Sequence, residues 1–102
     1  MREDDVLVGE TIDGACLGIE ALCAACDLER EWLIRRVDEG LLPAYGTMIA
    51  QWRFTGAEAE RASRMRALER DFDAAPELAA LVADMIEEIQ ALRAQLLRAG
   101  SP

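Results

Sequence analysis

The 102-residue sequence contains no histidine and no lysine, and only 5% of it is aromatic. Without histidine, no side chain has an ordinary pKa suited to general acid–base work near neutral pH, and the commonest metal ligand is missing. The two glycines of "GETIDG" have the wrong spacing for a phosphate-binding loop, and no nucleophile stands at a recognisable distance from a base. Adjacent acids such as Asp38-Glu39 and Glu87-Glu88 point apart on a helix, so they form no proton-sharing dyad. An enzyme is not expected, nor is a cofactor. No run approaches the roughly 18 uninterrupted apolar residues of a membrane span. The acidic opening "MREDD" also lacks the positive start of a signal peptide, so a cytoplasmic protein is expected.

Positive charge is scarce as well. All 11 basic residues are arginines, against 20 acids, and the net charge is −9. Such a chain repels a phosphate backbone unless its arginines cluster. They do not: between Gly40 and Phe54 the one basic residue is Arg53. The three cysteines, Cys16, Cys23 and Cys26, are odd in number and lie close together, which argues against a disulfide framework. Three thiols without histidine leave a tetrahedral zinc site incomplete, so no metal is expected; Cys23 and Cys26, one helical turn apart, read as small apolar packers.

Periodicity supplies the elements. Val6-Leu7-Val8 before Gly9 reads as a short strand. Apolar residues at 19, 22, 23 and 26 predict a short amphipathic helix, with Asp27 placed to cap the next. In that second helix, over 29–39, Leu33, Ile34 and Val37 share one side while Glu31, Arg35 and Asp38 share the other. Glu31 and Arg35 are spaced to pair on the surface, and Trp32 and Arg36 to stack. Gly40 ends the helix and Pro43 prevents its resumption. Residues 41–54 predict a two-stranded wing with Tyr45-Gly46-Thr47 at its tip. Thr55 caps a third helix, "GAEAERASRMRALERDF", whose buried stripe is read as Ala57, Met65, Leu68 and Phe72, with a surface pair from Glu60 to Arg64. Arg61 falls inside that stripe, so its guanidinium must reach an acid or the rim. Arg66 and Arg70 stand together on the outer face.

Pro76 suits the first turn of a last helix. From there Leu78, Val82, Met85, Ile89, Leu92, Leu96 and Ala99 recur at alternating spacings of four and three, a heptad seam that Leu81 and Ile86 widen. A lone helix with this much apolar surface needs a partner, so a homodimer through Val82, Met85, Ile89, Leu92 and Leu96 is expected. The chain divides into a head, 1–73, and this helix, 74–102.

The order of helix, turn, helix, "GLLP", a wing ending Trp52-Arg53-Phe54, an arginine-bearing helix and a coiled-coil helix resembles the MerR superfamily. Within it, the tryptophan-x-phenylalanine of the wing, the spaced arginines that follow and "ALVADMIEEIQALRAQL" are most similar to the CbpM family of chaperone modulatory proteins. The resemblance implies a mainly α fold: a MerR-like winged helix-turn-helix with a short β-hairpin wing and a long C-terminal coiled-coil helix. It also implies binding to the J-domain of a DnaJ-like co-chaperone of the CbpA type, and inhibition of its work with DnaK. A J-domain presents a basic helix, which places the contact on Asp84, Glu87 and Glu88, with Arg66 and Arg70 as a second surface. The alternative is a MerR-type DNA-binding transcriptional regulator, against which the outer face of Glu31, Arg35 and Asp38 sets two acids for each base.

Overall fold

The computed structural model describes residues 16–100. Four helices appear in the expected order: α1 (Ile19–Cys26), α2 (Arg30–Asp38), α3 (Gly56–Phe72) and α4 (Pro76–Gly100), with a single 3₁₀ turn at Ile49–Gln51. The expected strand at Val6-Leu7-Val8 lies outside the described residues.

The α1–α2 turn is built on Asp27, which adopts a left-handed conformation (φ 55°) and ends α1. Aspartate tolerates that region better than most residues because its short side chain can hydrogen-bond locally. Asp27 therefore stops the first helix instead of capping the second, for which Glu29 is the cap residue. α2 ends as the sequence predicts: Gly40 sits at φ 78° and the Leu41 amide donates to the Arg36 carbonyl at 3.0 Å, closing the last turn. α3 opens with a reciprocal cap, the Thr55 hydroxyl accepting from the Glu58 amide (3.2 Å) and the Glu58 carboxylate accepting from the Thr55 amide (2.9 Å). Asp73, again left-handed, closes α3, and Pro76 opens α4.

The wing is not the predicted two-stranded hairpin. Among the described residues it reduces to one bridge between Tyr45 and Arg53, and Phe54 pairs back with Leu17 at 2.8 Å in both directions. The intervening chain coils into the 3₁₀ turn, so no second pair of residues lies opposite the first. What survives is the alternation: Trp52 and Phe54 point into the core, their rings edge to face at 6.4 Å, while Arg53 is exposed. Gly46, at φ 119°, approaches the Gln51 carbonyl so closely that a β-carbon there would lie 2.8 Å from its oxygen.

The core joins α1, α2, the wing end, α3 and the start of α4. On α3 the buried positions are Glu58, Ala62 and Met65; Met65 belongs to the predicted stripe, whereas Glu58 and Ala62 lie one step around the helix from it. Ala57 is exposed and Phe72 is 74% exposed, while Leu68 is half-buried, because α3 turns its Ala62 side to the head. On α4 the inward residues are Ala79, Ala80 and Ala83, small enough to let the two helix backbones approach closely.

One polar contact crosses this core. Glu69 of α3 accepts from Trp32 Nε1 and from Arg36 Nε and Nη2, all at 2.9 Å, and Arg36 also donates to Glu39 at 3.0 Å. The guanidinium lies 5.3 Å from the Trp32 ring centroid, so the expected stack forms, but inside the molecule. Burial raises the Glu69 pKa and the hydrogen bonds from Arg36 and Trp32 more than offset it, leaving it below the ordinary carboxylate range.

Because the folded pKa is depressed, Glu69 contributes stability that is complete above its unfolded pKa and is lost as pH falls through the folded value. Glu69→Gln is therefore expected to lower unfolding free energy by about 3 kcal/mol at neutral pH. Urea titrations should show that loss shrinking toward acid; an equal loss at every pH would contradict the ionised role. Gly46→Ala is expected to cost about 1–3 kcal/mol in the same assay, through strain at positive φ.

Candidate functional site

Three surfaces follow from this packing. The first is the outer face of α2, where Glu31, Arg35 and Asp38 are exposed as the sequence predicts. Glu31 and Arg35 form no ion pair among the described residues, nor do Glu60 and Arg64. The other arginines of α2 are committed: Arg36 is buried on Glu69 and Arg30 pairs with Glu20 at 3.4 Å. Arg53, at the wing, donates to the Trp52 carbonyl at 2.8 Å. The reading face of this helix-turn-helix thus offers Arg35 between two acids.

The second surface is a cleft of about 800 Å³ bounded by the loop from Gly40 to Ala44, α3 and α4. Its apolar lining includes Leu41, Pro43 and Ala57, and its charged lining is Glu58, Glu60, Arg61, Arg64, Asp84 and Glu87. Arg61 is the inward guanidinium anticipated from its place in the apolar stripe. It donates to the Leu41 carbonyl at 3.2 Å, to Asp84 at 2.7 Å and to Glu87 at 3.1 Å. Burial lowers its pKa, but the two carboxylates outweigh burial and hold it above the usual arginine value. One side chain thus joins the helix-turn-helix loop, α3 and α4.

The third surface is the outer side of α4. Leu81, Met85, Ile89, Leu92 and Leu96 are each about half exposed or more, as is Leu78. At 100° per residue these positions lie opposite Ala79, Ala80 and Ala83. Of the predicted interface residues only Val82 is half-buried, and Ile86, read as widening the seam, is half-buried with it.

The residues expected to receive a partner do not converge. Asp84 and Glu87 line the cleft, whereas Glu88 is exposed on α4 and does not line it. Arg66 pairs with Glu29 at 3.2 Å, which holds the Glu29 pKa down, and Arg70 pairs with Asp71 at 3.2 Å. Sequence reasoning passed over Leu41, Pro43, Ala57 and Glu60 as cleft residues. The signal was present in Arg61, since an arginine in a buried stripe requires acids on a facing element. Cys23 and Cys26 are half-buried and free, and burial followed by the charge of Glu20 raises the Cys23 pKa, which suits packing over reactivity. Among the described residues no cluster is built to hold a metal ion, and no helix is long and apolar enough to cross a membrane.

The arrangement of two short helices, a glycine-ended second helix, a wing strand returning to the core and a long last helix matches the family model of MerR HTH regulatory proteins across residues 17–98. The chain belongs to that family. Within this MerR-type frame it is also similar to the chaperone modulatory protein CbpM of Pseudomonas entomophila, at 27% identity over 79 residues, which span 78% of each chain. No solved structure matches it significantly.

Arg61→Ala is expected to lower stability by about 1 kcal/mol, since its acids are largely solvated. It should also raise hydrogen exchange in the first half of α4 more than in α1; uniform exchange would show that Arg61 does not hold α4.

Proposed function

We propose that this protein is a non-catalytic modulator that binds the J-domain of a DnaJ-like co-chaperone of the CbpA type in the cytoplasm and inhibits its action with DnaK. The observation that carries the reading is the inward turn of Arg36. A MerR-type frame that buries one arginine of its reading helix on Glu69 and pairs another with Glu20 has little positive charge left for phosphate. The similarity to a protein named as a chaperone modulator supplies the positive side. Both relationships are to proteins named as regulators, which favours binding over catalysis.

The reading divides the work between the head, residues 1–73, and the helix from 74 to 102. The exposed stripe of α4 pairs with a second copy of the chain. The side of the same helix that carries Asp84 and Glu87 faces the J-domain.

The family match supports a second reading, a MerR-type DNA-binding transcriptional regulator, in which Arg35 and Arg53 of two copies would meet phosphate. The two readings separate in one experiment: capture of a purified CbpA-type J-domain, set beside gel shifts on random duplex at low and moderate salt. J-domain capture without salt-sensitive DNA retardation is expected, and the reverse pattern defeats the modulator. Light scattering should give twice the 11.2 kDa chain mass. Ile89→Glu should return it to one chain mass; a wild-type monomer would refute the paired α4.

A further inference from the structure

Resting on the modulator reading, the geometry points to the cleft between the 40–44 loop, α3 and α4 as the place where a cationic helical segment of the partner docks. The outer face of α4 is left to the second copy. Three exposed acids, Glu60, Asp84 and Glu87, stand at the cleft against the guanidinium groups of Arg61 and Arg64, while the Glu58 carboxylate is buried in the α3 cap. On two of these acids Arg61 engages one oxygen each, Asp84 Oδ1 and Glu87 Oε2. Each of those carboxylates keeps a second oxygen, and their side chains are 61% and 44% exposed, so an incoming ammonium or guanidinium finds acceptors already fixed in place. Arg61 thereby acts as the positioning residue: it holds two acids of α4 at the cleft without filling their remaining acceptor capacity.

With those acids, the half-buried Leu41 and the exposed Pro43 and Ala57 line the cleft with apolar surface along which the methylene stem of a lysine or arginine can lie. The charge of the whole chain, −9, steers cations toward it and anions away. Helical geometry keeps the two jobs of α4 apart. Asp84 and Glu87 flank Ala80 and Ala83, the side turned toward α3, whereas Leu81, Met85 and Leu92 face the opposite way. Pairing of two α4 helices therefore leaves both clefts open.

The test has two arms. In the first, a purified CbpA-type J-domain is titrated into the full chain and into Ala57→Trp, Glu60→Lys and Glu88→Lys, each checked for helix content by circular dichroism. Ala57 and Glu60 are exposed positions of α3 at the cleft, and Glu88 lies outside it. Weakening of about tenfold for A57W and E60K, with less than about twofold for E88K, supports the cleft. Unchanged affinity for A57W and E60K overturns it while leaving the modulator reading intact. No capture by the wild-type chain sinks the modulator reading, and the second arm then decides the cleft. An Ala/Lys helical peptide, which has no large apolar residue to engage the α4 seam, is titrated into the isotope-labelled full chain. Amide shifts gathered at Leu41, Ala57, Glu60, Asp84 and Glu87 support the site. Shifts gathered on the outer face of α2, or no shifts, overturn it.

Discussion

The contact on which the rest of the molecule depends is the one between Arg36 and Glu69, with Trp32 as the third member. It fixes the rotation of α2 about its own axis, because the fork of a guanidinium and the two oxygens of a carboxylate meet in only one orientation. Rotation in turn decides which residues a helix-turn-helix shows to the outside. With Trp32, Leu33 and Arg36 inward, the face left outward is Glu31, Arg35 and Asp38. A buried ion pair of this kind is weak evidence for stability as such. Its consequence lies in specificity: it sets the electrostatic character of the surface that the MerR frame uses to read DNA.

α4 is organised around the same economy of positive charge. Its inward side is alanine, which lets it lie close on α3, and no bulky side chain of its own is fully buried. Its grip on the head therefore relies on Arg61, a single cation reaching two carboxylates and the Leu41 carbonyl. Most of its large apolar residues, Leu78, Leu81, Met85, Ile89, Leu92 and Leu96, stand on the far side. A helix this asymmetric leaves its hydrophobic surface exposed in one chain, which is the basis of the proposed pairing with a second copy.

Much of this was legible in the sequence where a local rule governs. The stop at Gly40, the cap at Thr55, the start at Pro76 and the inward reach of Arg61 each follow from backbone geometry or from a polar group's need for partners, which neighbouring residues announce. What failed required knowledge of rotation or of distant pairing. On α3 Met65 is buried as read and Leu68 half-buried, but the buried arc is rotated toward Glu58 and Ala62, so Phe72, read as core, stands in solvent. Helical periodicity alone does not choose between apolar arcs of similar width, and here the polar Glu69 had to face Arg36. The wing failed for a related reason: β-prone residues from Ile49 to Phe54 alternate well only at the end, and the chain before them coils. Of the partner residues, Asp84 and Glu87 fall at a cleft because Arg61 draws them there. Arg66 and Arg70 are instead drawn to Glu29 and Asp71, which no pattern along α3 reveals.

The distribution of arginines carries the functional consequence furthest. In a protein with 20 acids, each arginine held by a carboxylate leaves the remaining surface more negative. Glu69, Asp84 with Glu87, Glu29 and Glu20 hold Arg36, Arg61, Arg66 and Arg30 respectively, so among the described residues four of ten arginines pair with acids of another element of the fold. A DNA reader keeps such residues at its reading helix and wing, where phosphates supply the counter-charge. This chain supplies the counter-charge from within, and the surfaces that remain, an acid-lined cleft and an apolar helix face, are the ones on which the modulator proposal rests.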